Sequence, residues 1–398
     1  MKNQWVAITA WFGVIMGSTF SAFAGESVSF QINPQHTGAA IFDGGLKLPL
    51  QQLWTRNMHG LVTYPLIAEG KVFVSVGNVG TYGSVFYALN EKTGGTIWSQ
   101  AIPGTYFTSL AAYDNGNVFV LNYDGVLRAF QASTGTLLWI VQIPGQYIFD
   151  APLTARDGMI FIGGAGIGVT IYAVREKDGS IAWSQRAVAG NWSAPTLSED
   201  GVFVSYPCQV YEFDIVTGAL RWNYNGGCDG GGGVTTALYD QVLFTSDLIS
   251  AKPGTGNALL AFNGTQIGTL GNLSSSLAYQ RGAGFSYPPA LQAGMGYFVK
   301  DSHGLVARGV PGFGVKWSFG GDNTISPAAI VVNGHVIAAS NAGHLYVLDG
   351  ATGTLQQTLT LPPSSQIGEG GVPNGLAAGD ELIAVPYLQT LTAYAGSP

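Results

Sequence analysis

The chain has 398 residues, of which 58 are glycine, 12% are aromatic and only 10% are charged. This many aromatic residues excludes a disordered chain, and low charge with frequent glycine is typical of short strands joined by tight turns rather than of helical bundles. The formal net charge of −7 offers no basic field to bind nucleic acid. We therefore expect an all-β protein that binds no nucleic acid.

Residues 1–24 are predicted to be a secretory signal peptide. Lys2 precedes an apolar run from Trp5 to Met16, and an Ala-Phe-Ala sequence ends at Ala24, which is typical of a cleavage site. The alternative is an uncleaved anchor, but the apolar run is shorter than the roughly 20 residues of a spanning helix. We expect a secreted or periplasmic protein with no stable membrane insertion after the signal is removed.

One pattern recurs along the rest of the chain: a leading residue, an apolar residue, a turn with Thr-Gly or Asp-Gly, and a tryptophan ten positions after the leading residue. The clearest copies run from Ala88 to Trp98, Ala129 to Trp139, Ala173 to Trp183 and Glu212 to Trp222. Weaker copies follow at Ala261, Ala307 and Val347, and a half-copy ends at Ala393. Steps of about 40 to 50 residues match a four-stranded propeller blade, so the spacing predicts eight blades.

Each unit is predicted to contain four antiparallel strands, A to D from the axis to the rim, with the tryptophan on strand D. The eighth unit ends before its outer strand, and Leu53 and Trp54 supply that strand from the other end of the chain. We therefore expect a lead segment over residues 25–52 and one eight-bladed β-propeller over residues 53–398. Closure by an N-terminal outer strand leaves no open sheet edge.

The repeat resembles the tryptophan-docking motif of the PQQ-like, or quinoprotein alcohol dehydrogenase-like, β-propeller family, where PQQ is pyrroloquinoline quinone. The resemblance covers nearly all of the mature chain and is best to non-catalytic secreted or periplasmic members. It implies that the glycine permits the C–D turn and that the tryptophan packs between neighbouring blades. The implied docking residues are Trp54, Trp98, Trp139, Trp183, Trp222 and Trp317. Blade five has no tryptophan and blade seven has Gln357 in its place, so we expect weaker packing there.

The same family includes dehydrogenases that use PQQ and calcium. Their pair of adjacent cysteines is absent here, because the only cysteines are Cys208 and Cys228. The sequence also shows no group of Asp, Glu and Asn residues that would hold a quinone and its calcium ion, and its five histidines lack metal-ligand spacing. We therefore predict no PQQ, no calcium and no other metal, and we assign no catalytic residue.

Strand alternation places the long B–C and D–A connections on one face, the loop-rich face, and the short A–B and C–D turns on the other, the turn face. The positions where the inner strands begin should ring the mouth of the axial channel on the loop-rich face. The candidate binding residues of this channel mouth are Thr63, Thr108, Asp150, Ser193, Thr235 and Tyr287. The alternative is that these hydroxyls only satisfy neighbouring backbone groups.

The two cysteines are predicted to form a disulfide bond. Cys208 lies in the B–C turn of blade four and Cys228 in the connection that leaves this blade, so both belong to the loop-rich face. Export would place them in an oxidising compartment. The alternative to a Cys208–Cys228 disulfide is two reduced, buried thiols.

Two classes of function remain open. The first is a monomeric binding or scaffold propeller, secreted or periplasmic, that engages a protein or a glycan through the loop-rich face. The alternative is an enzyme on the same face, either a PQQ-dependent dehydrogenase-like oxidoreductase or a polysaccharide lyase or hydrolase. An enzyme needs an acid and a base within reach of one substrate, and Asp150 alone does not meet this requirement. The sequence therefore favours a binding protein.

Overall fold

The computed structural model of the chain describes residues 25–78, 80–106, 109–145, 148–166, 170–187, 193–206, 209–225, 235–249, 252–272, 287–300, 303–362 and 374–397. The predicted signal peptide lies outside these residues, and so do Cys208 and Cys228, so the disulfide stays a prediction. In the described part of the chain, no helix is long and apolar enough to cross a membrane.

The described strands form eight sheets, each built on four antiparallel strands in the order A to D, which confirms the predicted all-β, eight-bladed propeller. The strands of blades one to four are Leu66–Ala68, Lys71–Gly77, Ser84–Asn90 and Thr96–Ile102; Ser109–Asp114, Asn117–Asn122, Val126–Gln131 and Leu137–Gln142; Thr154–Arg156, Met159–Gly163, Ile171–Arg175 and Ile181–Gln185; and Thr196–Leu197, Gly201–Tyr206, Gln209–Asp214 and Leu220–Asn225.

The remaining blades have the same order of strands. Blades five to seven contain Ala237–Tyr239, Val242–Ile249, Lys252–Leu260 and Gln266–Asn272; Ala290–Gln292, Met295–Val299, Leu305–Gly309 and Val315–Phe319; and Ile330–Val332, His335–Ala339, His344–Asp349 and Leu355–Thr360. Blade eight contains Ala377–Gly379, Leu382–Tyr387, Thr390–Gly396 and, as its outer strand, Leu50–Asn57. Two short strands are added: Leu61–Val62 pairs with strand B of blade one, in line with strand A, and Ala39–Ala40 pairs in parallel with strand A of blade seven.

The two ends of the chain close the ring as predicted. Leu50–Asn57 pairs antiparallel with Thr390–Gly396, and Trp54 lies opposite Ala393. In blade one the corresponding pair is Ala88 and Trp98, so the N-terminal strand occupies the same register as a D strand made within its own blade. The eighth blade therefore completes its sheet with a strand from the opposite end of the chain.

Six of the eight blades dock onto the next one through a tryptophan. The indole N–H of Trp98 donates to the carbonyl of Ala132, at 2.9 Å, and the ring lies against Gly135 of the following C–D turn. Gly135 has a φ of +71°, and a Cβ atom there would lie 2.6 Å from the indole, so both the backbone and the contact require glycine. The equivalent contacts are made by Trp54 with Gly94, Trp139 with Gly179, Trp183 with Gly218, Trp222 with Gly264 and Trp317 with Gly353.

The junction between blades five and six exchanges the two partners of this contact. The leading residue of blade five is Ala258, three positions before the expected Ala261, and it lies opposite Gly268, which stands where the tryptophan would be. Phe313 occupies the glycine position of blade six, with a φ of 54°, and a Cβ atom on Gly268 would lie 2.5 Å from its ring. Blade six therefore supplies the aromatic ring that blade five lacks.

The junction between blades seven and eight replaces the tryptophan with an amide. Gln357 lies opposite Val347, at the tryptophan position. Its Oε1 atom accepts from the backbone N–H of Leu50 at 2.7 Å, and its Nε2 atom donates to the Leu50 carbonyl at 2.9 Å. Blade eight has no C–D turn for an indole to contact, so Gln357 instead fixes the start of the closing strand. The expectation of weaker packing overlooked both substitutes.

The lead segment lies against the inner strands at the turn face and visits the blades in order around the ring. Its carbonyls accept hydrogen bonds from N–H groups at the ends of the A strands. The pairs are Gly25 with Asp380, Ser27 with Ile67, Val28 with Tyr113, Pro34 with Leu197, Gln35 with Leu238, Thr37 with Leu291 and Gly38 with Val331. The segment thereby satisfies backbone donors at the innermost edge of seven of the blades.

The lead segment also fills the turn-face end of the axial channel. The Gln31 amide reaches across to the carbonyls of Pro288 and Ala329, at 3.3 and 3.4 Å, which belong to blades on the other side of the ring from those joined by Ser27 and Val28. Phe30 is 1% exposed and packs edge-on against Tyr64 of blade one. The sequence shows no repeat in this segment, so its path was not predicted.

Candidate functional site

Three of the predicted channel-mouth residues are buried, and their hydroxyls contact backbone groups. Thr63 donates to the carbonyl of Ser75 at 3.1 Å, and Ser193 accepts from the backbone N–H of Ser205 at 3.0 Å. Thr235 accepts from the N–H of Ala194 in the preceding blade, also at 3.0 Å. These bonds join strands A and B of one blade or the A strands of neighbouring blades, so the geometry agrees with the structural alternative for these three hydroxyls.

The remaining channel-mouth residues do not form one described cluster. The hydroxyl of Tyr287 lies 2.8 Å from that of Ser326 in the next blade, and Asp150 lies near enough to Tyr123 for its charge to raise the pKa of that phenol, after burial as the larger cause. Thr108 lies outside the described residues. The channel mouth as a binding site stays a prediction.

His36 anchors the lead segment under blades three and four. Its ring is fully buried, with Nδ1 2.7 Å from the carbonyl of Phe30 and Nε2 3.1 Å from that of Pro195. Burial lowers the pKa of His36 to about 4, despite these two hydrogen bonds, which favour the charged form. The imidazole is therefore neutral near pH 7 and fixes the segment by hydrogen bonding and packing.

A large groove opens on the turn face beside the lead segment. It has a volume of about 960 Å³ and lies over the A–B turns of blades three to six. Asn33, Gln35, Thr37 and Ala39 of the lead segment form one wall, and Phe262 of blade five stands on the other side with 66% of its surface exposed. We call this cavity the turn-face groove. It lies on the opposite face from the predicted channel mouth.

The charge of the turn-face groove is negative. Its two basic side chains are Arg156 and Arg221. Its carboxylates are Asp157, Glu199, Asp200, Glu212 and Asp240. Ionised together, these groups carry a formal charge of −3, so the groove attracts cations.

Glu212 departs from the repeat to which it belongs. The leading position of strand C is alanine in blades one, two, three, five, six and eight and valine in blade seven, but glutamate in blade four. Glu212 is only 3% exposed and is one of the residues that line the groove. A carboxylate at this depth loses hydration, and a small apolar residue is sufficient for the fold in the other blades.

A second departure in blade four makes room for this side chain. Gly201 stands at a strand B position that Lys71 and Met159 occupy in blades one and three. A Cβ atom on Gly201 would lie 2.5 Å from Oε1 of Glu212. The two exceptions are therefore complementary. The sequence signal of Glu212 is its charge at a position that is alanine or valine in the other repeats.

Arg221 joins Glu212 to two further carboxylates. Its guanidinium donates to Asp200 at 2.7 Å, Glu212 at 3.1 Å and Asp214 at 2.7 Å. Burial raises the pKa of Glu212, and the bond from Arg221 partly offsets this effect. Hydrogen bonds from the Thr217 backbone, from Arg221 and from the Thr217 hydroxyl hold the pKa of Asp214 well below its usual range. The guanidinium of Arg221 is thus surrounded by three carboxylates: Glu212, which is buried, and Asp200 and Asp214, which are more exposed.

A His–carboxylate pair lies on the loop-rich face between blades six and seven. Nδ1 of His344 is 2.8 Å from Oδ2 of Asp322, which also accepts from the Ser340 hydroxyl at 2.6 Å. Although burial opposes it, the hydrogen bonds from Ser340, His344 and Thr324 hold the pKa of Asp322 well below its usual range. The His344 ring and the Asp322 carboxylate therefore form a hydrogen-bonded pair. In the described ranges, no three His, Cys, Asp or Glu residues are grouped so as to hold a metal ion.

A carboxyl pair joins blades two and three on the turn face. Glu176 is 7% exposed, and the Asn115 amide contacts both Glu176, at 3.3 Å, and Asp114, at 2.9 Å. Burial, followed by the hydrogen bond to Asp114 and its charge, raises the pKa of Glu176 to about 9. Glu176 therefore keeps its proton near pH 7.

This shift predicts a pH-dependent stability that Glu176→Gln abolishes. The folded chain holds a proton that the unfolded chain releases above pH 4.5, so wild-type stability falls as the pH rises from 4.5 toward about 9. Glutamine imitates the protonated acid, and we expect the variant to equal wild type near pH 4.5 and to exceed it at pH 8, by roughly 1.4 kcal/mol for each pH unit above 4.5. Urea unfolding at both pH values measures this difference. Asp43→Asn, at an exposed carboxylate, should change neither value, and an unchanged profile in Glu176→Gln would refute the assignment.

The fold and its docking contacts define a class of protein. Eight four-stranded blades, closed by the N-terminal strand and joined by tryptophan–glycine contacts, make this chain a PQQ-like β-propeller. A family model described as outer membrane protein assembly factor BamB matches residues 51–149 and 145–260, more than half of the chain. The chain belongs to this family. A search of curated proteins finds no match.

Solved structures with similar folds include a BamB protein and two dehydrogenases. BamB from Moraxella catarrhalis aligns with a TM-score of 0.66 and 13% identity over 87% of this chain and 100% of that one. A europium-containing methanol dehydrogenase gives 0.69 and 14% over 91% and 89%. Quinohemoprotein alcohol dehydrogenase from Comamonas testosteroni gives 0.68 and 15% over 94% and 81%. These identities show the fold alone.

Proposed function

We propose that this chain is an exported, non-enzymatic scaffold propeller that holds an extended segment of a protein partner in the turn-face groove. The observation that carries the proposal is the groove, which is large enough for several residues of such a segment. The family description, an outer membrane protein assembly factor, supports a protein rather than a glycan as the partner. Binding through the loop-rich face remains a separate prediction, because many of its loops lie outside the described residues.

The walls of the groove suit a polypeptide ligand. The lead segment that forms one wall is held by backbone hydrogen bonds to neighbouring A strands, such as those from Leu238 and Leu291. A wall fixed in this way does not have to be ordered when the partner binds, which lowers the cost of association. Phe262 offers an exposed apolar contact, while Asn33, Gln35 and Thr37 offer polar ones.

Binding of an unfolded polypeptide tests this proposal. The probe is reduced, carboxymethylated lysozyme, which presents extended segments permanently. Ala39→Trp fills the groove from its wall and should abolish binding measured by fluorescence anisotropy, whereas Tyr82→Ala, at an exposed position of the loop-rich face, should leave it unchanged. Equal binding by wild type and Ala39→Trp would contradict the proposal.

We also propose that the protein works without PQQ or calcium. Calcium takes six to eight oxygen ligands, usually with several carboxylates, whereas the channel-mouth set contains one carboxylate, Asp150, and the hydroxyls of Thr63, Ser193 and Thr235 already contact backbone groups. We expect PQQ added with calcium to give neither a bound-quinone absorbance after gel filtration nor dye-linked oxidation of alcohols or aldoses. Stoichiometric retention of PQQ with turnover would overturn this expectation.

A further inference from the structure

The acidic cluster around Arg221 lies at the part of the turn-face groove where blades four and five meet. Asp200 has 70% of its side chain exposed, whereas Glu212 has 4% exposed below it. Glu199 and Asp240 stand on the adjoining A–B turns and also line the groove. A charged group that enters here would meet carboxylates from two blades.

The buried member of the cluster has an oxygen without a hydrogen bond. In the described part of the chain, Oε2 of Glu212 has no hydrogen-bond partner. The indole N–H of the neighbouring Trp222 donates to the carbonyl of Ala261, at 2.9 Å, and lies near enough to Glu212 to lower the pKa of that carboxyl, as a smaller cause than burial and Arg221. A buried carboxylate oxygen left in this state costs folding free energy. Since alanine or valine serves the fold at this position in seven blades, the fold itself does not account for Glu212.

Phe262 adds a second feature that suits a cation. Its ring stands in the C–D turn of blade five, directly after Ala261, and most of its surface is exposed. The face of an aromatic ring attracts a guanidinium or ammonium group placed over it. An exposed ring beside carboxylates is therefore complementary to an arginine or lysine side chain, which has an apolar stem and a charged end.

We propose that the segment bound in the turn-face groove is basic, with an arginine or lysine side chain that lies over Phe262 and pairs with Glu199, Asp200 and Asp240. Glu212, which is buried beneath these carboxylates, is a positioning residue: it holds Arg221 and adds its negative charge to that of the groove. This inference rests on the proposed function, because it names the chemistry of the segment that the groove would hold. The formal charge of −3 makes the groove and such a segment complementary.

Glu212→Ala separates a binding role from a structural one. It restores the residue that the repeat uses elsewhere, and Arg221 keeps its bonds to Asp200 and Asp214, so no charge is left unpaired. Removing one partner of a buried ion pair is strongly destabilising when it leaves the other charge unpaired, and Arg221 does not meet that condition. We expect its melting temperature to equal or exceed that of wild type while its affinity for a basic peptide falls by about fivefold or more.

The test uses two fluorescein-labelled nonapeptides that differ only in charge. One has arginine at alternate positions, which share one side of an extended chain, and the other has citrulline, a neutral residue of the same shape, at the same positions. At 50 mM NaCl we expect wild type to bind the arginine peptide at least tenfold more tightly, and we expect this preference to shrink at 500 mM NaCl. Glu212→Ala and the double variant Glu199→Gln/Asp240→Asn should weaken binding of the arginine peptide only.

Each other outcome has a definite meaning. Equal binding of both peptides would overturn the proposal that the bound segment is basic, while the groove would remain a polypeptide-binding site. Absence of binding by either peptide would also overturn it, and the lysozyme experiment with Ala39→Trp would then decide the proposed function separately. A lowered melting temperature in Glu212→Ala, with equal loss for both peptides, would assign Glu212 to the fold.

Discussion

A chain without residues 25–57 is expected to aggregate or to remain unfolded. This deletion removes the closing strand Leu50–Asn57 and leaves Thr390–Gly396 as an open edge of blade eight. It also removes the buried indole of Trp54, whose loss alone is worth about 3 to 5 kcal/mol, and the carbonyls that pair with the A strands. Gel filtration and far-ultraviolet circular dichroism of the purified chain measure the result.

A circular permutant separates the closing strand from the lead segment. Leu50 lies opposite Gly396, so residues 50–57 can be attached after Ser397 through a turn of about four residues, which is an ordinary hairpin length. We expect this permutant, which begins at residue 58, to be soluble, monomeric and less stable than wild type, because residues 25–49 are missing. A soluble monomer from the simple deletion would contradict the closure. Aggregation of the permutant would show that solubility requires the lead segment, residues 25–49, and not only the closing strand.

The exchanged contact between blades five and six should give a large non-additive effect. Gly268→Trp alone places a side chain against the ring of Phe313 and should destabilise the chain by about 3 kcal/mol. Phe313→Gly alone leaves a cavity and should cost about 3 to 5 kcal/mol. The double variant recreates the usual tryptophan–glycine pair, with the carbonyl of Val310 at the position of the usual indole acceptor, and should lie within about 1 kcal/mol of wild type.

Urea unfolding of the four chains measures this coupling. The matched control is Trp98→Phe combined with Phe313→Gly, since Trp98 docks blade one onto blade two, away from this turn, and should add its effect independently. Additive losses in the Gly268→Trp/Phe313→Gly pair would show that the two residues are not alternative halves of one contact.

The propeller could be predicted from the sequence because the residues that pack its blades together recur at fixed positions in a repeat. The positions of Trp98 and Gly135 follow from one rule, that an indole docks on a glycine of the next blade, and the same rule placed Trp54 on the closing strand. The exchange at Gly268 and Phe313 was missed because the ring came from the neighbouring blade. The role of Gln357 was missed because its partner, Leu50, is distant in sequence.

The turn-face groove could not be predicted in the same way. Its lining residues come from the lead segment and from four blades, and the lead segment follows no repeat that would fix its path. Gln31 and His36 adopt positive φ angles, at 53° and 55°, which alternation along a strand does not indicate. Only Glu212 left a signal in the sequence, as a charged residue at a leading position that is otherwise alanine or valine.

Hydrogen exchange of residues 25–398 with and without the arginine nonapeptide tests most directly whether the turn-face groove is the binding site. We predict slower exchange in residues 33–41, 198–201, 239–241 and 261–264, which line or adjoin the groove, and unchanged exchange in residues 320–326 and 340–346 of the loop-rich face. Protection confined to the loop-rich face would contradict the account.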